Sequence, residues 1–187
     1  MSTCGNYMKQ KGTLKKNTIV ATVMSNLGMF LMGEREGIHI EKTKVGDRYV
    51  LENMLENGYN IGGEQSGHII FLDENTTGDG LLSALHLLQV MTETKKKLSE
   101  LASIMEVLPQ ALVNAKVPNH KKEHFEEYAE IAEAIAEVEA KFAGEGRVLI
   151  RPSGTEPLVR VMIEGKDQQL IESEAQKLAE LISSIML

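Results

Sequence analysis

The chain has 187 residues, of which 42% are hydrophobic and 25% charged, and its net charge is -7. Such a chain can bury one large core or two small ones, and its acidic balance excludes the basic footprint of a DNA or RNA binder. No apolar run approaches the roughly 18–20 residues of a membrane span, and Met1 to Lys16 holds no apolar signal core, so a cytoplasmic protein without a membrane or nucleic-acid partner is expected. The single cysteine, Cys4, makes neither an internal disulfide nor a thiolate zinc cluster.

Cys4 to Gln10 reads as a short helix stopped by Gly12, in a basic segment whose beginning reads as cut from something longer. The β-branched run TIVATV, Thr18 to Val23, predicts a buried strand. Asn26 caps a helix running to Glu36, with Leu27, Phe30 and Leu31 on one face and Gly37 at its stop. A strand over Ile38 to Lys42 leads to a helix over Asp47 to Asn57, with Val50, Leu51, Met54 and Leu55 at helical spacing and Gly58 after it. Tyr59 to Gly62 and His68 to Leu72 predict strands flanking the loop Gly63 to Gly67. A polar turn, Asp73 to Gly80, feeds an apolar helix over Leu81 to Thr92, and a second helix over Ser99 to Met105 leads out of this region.

Beyond it, Gln110 to Val117 is strand-like and Glu123 to Lys141 strongly helical. Val148 to Ile150 and Leu158 to Ile163 are strands around a Pro-rich loop, and Gln168 to Met186 is a last helix. The expected architecture is an α/β domain over residues 1–104, a mixed sheet covered by helices, followed by a small α+β domain over residues 105–187.

Two loops carry chemistry. Arg151-Pro-Ser-Gly-Thr-Glu-Pro157, with Arg160 shortly after, places guanidinium forks, the Ser153 and Thr155 hydroxyls and the open backbone of Gly154 together, which suits a phosphate. A plain turn formed by Pro152, Gly154 and Pro157, with a solvated Arg151, is the structural alternative. Gly62-Gly-Glu-Gln-Ser-Gly-His68 offers a carboxylate, an amide, a hydroxyl and an imidazole, groups that hydrogen-bond the hydroxyls of a sugar. His68 is a candidate acid or base there; a tight turn with a satisfied histidine is its alternative.

His39, His86, His120 and His124 lack comparable surroundings. The loop around Ser66 is not a nucleophile elbow, because Glu64 stands where a glycine is required. Asp79 reads as a helix cap, and no metal site is expected from these residues.

VMSNLG (Val23 to Gly28), KVGDRYVLENM (Lys44 to Met54), NIGGEQSGHIIF (Asn60 to Phe71), NTTGDG (Asn75 to Gly80) and RPSGTEPLVRVM (Arg151 to Met162) together resemble the bacterial phosphoglucosamine mutase branch of the α-phosphohexomutases. The blocks cover nearly the whole chain in the family's order. The resemblance implies the third and fourth of four domains, a C-terminal half, with residues 1–16 holding a short remnant of the preceding domain. It implies an isomerase of carbohydrate and amino-sugar metabolism that interconverts glucosamine 6-phosphate and glucosamine 1-phosphate on the way to UDP-N-acetylglucosamine and peptidoglycan. A phosphoserine enzyme and a bisphosphate intermediate carry that reaction.

By the same resemblance Glu64, Ser66, Gly46, Asp47 and Arg48 hold the sugar, while Arg151, Ser153, Gly154, Thr155 and Arg160 hold the phosphate that is not transferred. The serine loop of the TASHNP type and the DGDxDR loop that binds Mg²⁺ have no counterpart in this sequence. The chain alone is therefore expected to be inactive, with the missing N-terminal domains and a phosphorylated amino sugar as its partners. A free-standing phosphosugar-binding or regulatory module is the rival from another class, and a phosphomannomutase or phosphoglucomutase relative the rival within the superfamily.

Overall fold

The computed structural model describes residues 1–142 and 144–187. They form two compact units, Met1–Val107 and Leu108–Leu187.

The first unit contains α1 (Ser2–Gln10), β1 (Thr18–Thr22), α2 (Leu27–Glu36), β2 (His39–Thr43), α3 (Asp47–Asn57), β3 (Ile61–Gly63), β4 (Ile69–Phe71), α4 (Gly80–Thr94) and the short α5 (Leu98–Ala102). Its sheet has the order β2-β1-β3-β4; the first three strands are parallel and β4 is antiparallel to β3. Parallel strands need crossover helices, and these cover both faces. Ile19 and Ala21 face a core with Met29, Phe30, Met32 and Val90, while Val20 faces Val50 and Met54 on the other side. All five residues of β1 are buried in consequence.

Local signals set the boundaries of these elements. The Asn26 side chain accepts from the Gly28 N–H at the start of α2, and the Asp79 carboxylate accepts from the Leu82 N–H at the start of α4. Gly37 and Gly58 end α2 and α3 with φ of 65° and 69°, the left-handed region that an L side chain avoids.

Two local expectations are corrected. Leu31 and Leu55 do not belong to the core faces: they are 37% and 58% exposed, and α2 buries Met29 and Met32 instead. The apolar helix expected over Leu81 to Thr92 forms as α4, with Val90 fully buried and Leu81, Leu85 and Leu88 open. The helix expected over Ser99 to Met105 is the single turn of α5.

The second unit is an antiparallel sheet of β5 (Gln110–Lys116), β6 (Arg147–Pro152) and β7 (Leu158–Glu164) in the order β5-β7-β6, with α6 (Ala129–Phe142) and α7 (Gln168–Met186). Val159, Val161 and Ile163 alternate along β7 into a core with Ile131, Val138, Phe142, Ile171, Leu178 and Ile182 from the two helices. The intervening residues, Arg160 among them, lie on the opposite face.

The helical stretch expected from Glu123 is broken. Lys122–Glu127 is a 3₁₀ turn, Tyr128 is extended, and α6 starts at Ala129. Phe125 is buried in the core and Tyr128 packs against it.

Candidate functional site

Two clusters of polar side chains stand out, one in each unit. In the first unit, the parallel strands β1, β2 and β3 end at Thr22, Thr43 and Gly63. Ligands of open α/β sheets bind beyond such carboxyl ends, between adjacent strands whose connections leave in opposite directions. Here those strands are β1, which continues to β2 on one side, and β3, which continues to β4 on the other.

Glu64 follows β3 directly, and its Oε1 accepts the Gly46 N–H at 2.8 Å. The carboxylate thus joins the loop after β3 to the turn before α3, 18 residues away in sequence and on the other side of β1. Its Oε2 lies 3.5 Å from Ser66 Oγ, which in turn lies 3.3 Å from His68 Nδ1. His68 Nδ1 is 4.0 Å from Glu64 Oε2.

Backbone bonds fix the loop as a tight turn: the Glu64 N–H donates to His68 O at 2.9 Å and the Gly67 N–H to Glu64 O at 3.2 Å. Gly63 is required at its base, since a Cβ there would stand 2.3 Å from the His68 carbonyl oxygen. Glu64 is largely enclosed, with 13% of its side chain exposed, while His68 is 61% open. The carboxylate therefore acts as a fixed anchor, and the imidazole is reachable from solvent.

Asp47 and Arg48 occupy the first turn of α3. The Asp47 carboxylate accepts the Arg48 N–H at 2.8 Å, and the exposed Arg48 pairs with Glu52 at 2.7 Å, which raises the guanidinium pKa. Of the expected sugar-side groups, Gly46, Glu64, Ser66 and His68 come together through described contacts. Asp47 and Arg48 are linked to that cluster through the backbone of Gly46.

In the second unit, Arg151 on β6 and Arg160 on β7 are directly opposite each other in the antiparallel register. Like charges at such positions repel, by about 0.2–1 kcal/mol on the scale of cross-strand pairs. Burial, and then the Arg160 charge, push the Arg151 guanidinium pKa down. Arg160 Nη2 reaches Glu156 at 3.0 Å, but its Nε is enclosed with no hydrogen-bond partner. The protein alone leaves this cationic pair incompletely satisfied, with one enclosed guanidinium N–H unpaired.

The loop between these strands is tied down from inside. The Ser153 N–H donates to Leu158 O at 2.9 Å, and its buried hydroxyl accepts the Glu156 N–H at 3.2 Å. Gly154 and Thr155 form the exposed tip.

Sequence reasoning missed two groups here. Glu156 pairs with Arg160, and Lys122, buried at 9% exposure, extends its ammonium under the loop. Lys122, distant in sequence, gave no signal. The Glu156 pairing gave no signal either, since four-residue spacing marks neighbours on a helix and Arg160 lies on a strand.

Among the described residues no three His, Cys, Asp or Glu side chains gather as a metal site. No described helix is long and apolar enough to cross a membrane.

An α/β layer unit with a polar loop at its strand ends is followed by a small antiparallel unit with two opposed arginines beside a loop. Residues 1–108 match the phosphoglucomutase/phosphomannomutase alpha/beta/alpha domain III, and residues 112–181 match the phosphoglucomutase/phosphomannomutase C-terminal domain. The chain belongs to this family.

Within it, the chain is 62% identical over 182 residues to the phosphoglucosamine mutase of Ruminiclostridium cellulolyticum and 63% identical over 182 residues to that of Acetivibrio thermocellus. Each match covers 97% of this chain, which spans 40% of the length of either relative. The fold is also that of Aspergillus fumigatus N-acetylphosphoglucosamine mutase in complex with GlcNAc-6P and magnesium. That likeness has a TM-score of 0.74 at 15% identity and covers 100% of this chain and 42% of the other.

Proposed function

We propose that this chain is the substrate-holding part of a phosphoglucosamine mutase, gripping the sugar with the Glu64 loop and the non-transferring phosphate with the Ser153 loop. The observation that carries the reading is the Arg151 and Arg160 pair, two guanidinium groups held opposite each other over a tied-down loop with an exposed glycine tip. The high identity to phosphoglucosamine mutases supports the amino sugar as substrate.

A mutase must hold either phosphate of its bisphosphate intermediate at one fixed site while the opposite end of the sugar faces the donor. Arg151, Arg160, the Thr155 hydroxyl and the Gly154 N–H form such a site in this reading. Each hydrogen bond to a charged group contributes about 1.5–3 kcal/mol, so a few of them orient the substrate. Glu64 Oε2 and the Ser66 hydroxyl bind sugar hydroxyls, and the Gly46 turn with Asp47 and Arg48 lines the sugar. His68, solvent-open and within reach of Ser66, passes a proton to or from a sugar hydroxyl.

The nucleophile and the magnesium of the reaction belong to segments without a counterpart in this sequence. The residues of this chain bind and orient, and the chain by itself has no mutase turnover. A cytoplasmic setting, where phosphorylated amino sugars are made, accords with this role.

The test is an amide-resolved NMR titration of the chain with glucosamine 6-phosphate. Shifts at both Glu64–His68 and Arg151–Thr155, at about millimolar affinity, are expected. No shifts at Arg151–Thr155 would remove the phosphate clamp from the proposal, and turnover by the pure chain would remove the claim of inactivity.

A further inference from the structure

Lys122 is a buried cation that the mutase reading leaves without a task. It sits at the start of the 3₁₀ turn before α6, and its Nζ donates to the carbonyl oxygens of Ser153 and of Glu156, the latter at 3.3 Å. Among the described residues no carboxylate pairs with it. Burying an ammonium is costly, and two carbonyl dipoles offset the cost only in part. The Lys122 amine group thus sits directly beneath the loop that carries Arg151, Gly154 and Thr155.

The choice of carbonyls matters as much as the charge. The chain has no cis peptide bonds, and in a trans peptide the C=O and the following N–H point in opposite directions. With the Ser153 carbonyl turned inward to Lys122, the Gly154 N–H is turned outward, to the exposed side of the loop. The second carbonyl, that of Glu156, precedes Pro157, which has no N–H to present. Lys122 thus ties the loop at two points, and one of them aims a donor at the anion side. The Ser153 and Glu156 N–H groups are already used inside the loop, which leaves Gly154 and Thr155 as the backbone donors of its tip.

We infer that Lys122 is a positioning residue of the anion site: without touching the anion, it turns the Gly154 N–H outward and adds positive field from below. This inference rests on the reading of the Ser153 loop as a phosphate clamp.

The experiment titrates the whole chain with inorganic phosphate, reading the Gly154 and Thr155 amides. Lys122→Met keeps the stem and removes the charge and donors. It is expected to raise the dissociation constant about tenfold or more and to move the Gly154 amide already in the free protein, with β7 amides unchanged. Lys122→Arg, which keeps cation and donors, is expected to stay within about threefold of the parent chain. If the methionine variant does not fold, Lys122→Gln, neutral but still a donor, takes its place with the same expected loss.

A folded Met or Gln variant that binds phosphate within about twofold of the parent overturns the inference, as does an Arg variant as weak as the Met one. A parent chain whose Gly154 and Thr155 amides ignore phosphate overturns the clamp reading itself, and this inference with it.

Discussion

The Glu64 loop and the Ser153 loop are built from opposite kinds of group. The first is built around an enclosed acceptor: a carboxylate that spends one oxygen on the Gly46 N–H and leaves the other beside Ser66 and His68. The second is built around donors: two opposed guanidinium groups, with a buried ammonium below and a glycine tip above. In the proposed function, sugar hydroxyls are distinguished by the geometry of acceptors and donors, whereas a phosphate dianion needs unspent positive charge. Glu64 in the first loop is engaged by Gly46 and Ser66, and the second loop keeps Arg160 Nε without a hydrogen-bond partner.

The largest effect should come from breaking the donor side. Arg160→Met should weaken phosphate binding at the Ser153 loop about tenfold or more, since hydrogen bonds to charged groups are each worth about 1.5–3 kcal/mol. Amides of Gly63 to His68 should stay in place in the same titration. An equal disturbance of both loops would end the contrast.

Glu64→Ala should do the reverse. It deprives the Gly46 N–H of its acceptor, so the first unit should lose about 1–3 kcal/mol in urea unfolding, with amide shifts at Gly46 to Arg48. Phosphate affinity at the second loop should be unchanged.

Acid should separate the units more gently. The Glu174 carboxyl is held below its ordinary value of 4.5 by Lys141 and then Lys177. A lowered folded-state value means stability that is present above pH 4.5 and fades as pH falls through the folded value. Glu174→Gln should therefore flatten the acid side of the second unit's urea midpoint against pH, below 4.5, and leave that of the first unit alone.

The smallest effects are expected at the helix starts. Asp79→Ala and Asp167→Ala each remove a cap, to the Leu82 and the Leu170 N–H respectively, and should each cost about 1 kcal/mol. The loss should appear in the unit that carries the cap, by residue-resolved hydrogen exchange.

Much of this was legible in the chain because local rules decided it. Asn26, Asp79, Gly37 and Gly58 punctuate helices through bonds to their own neighbours, and β1 announces its burial by a run of β-branched residues. Asp47–Asn57 and Gln168–Met186 coincide with the expected helices for the same reason. Where tertiary packing overrode periodicity, the reading slipped. The acidic stretch from Glu123 has helical composition throughout, yet Lys122–Glu127 is a 3₁₀ turn and the α-helix starts only at Ala129. Leu31 and Leu55 fit a helical face by spacing, but the sheet takes the methionines beside them.

At the site, the arginines and the Glu64 loop could be read from residue types between strands. The Glu64 bond to Gly46 and the place of Lys122 could not, because both depend on which strand ends and turns become neighbours after folding.

The central strand of the second unit has a further bearing on time. All seven residues of β7 pair with β5 on one side, and all but its first pair with β6 on the other. Its amides should be the last in that unit to exchange with solvent deuterium, released only by global opening. The Ser153 loop runs directly into this strand, with Arg160 at its third position. The Arg160 guanidinium is thus carried on the backbone that should exchange slowest in the unit.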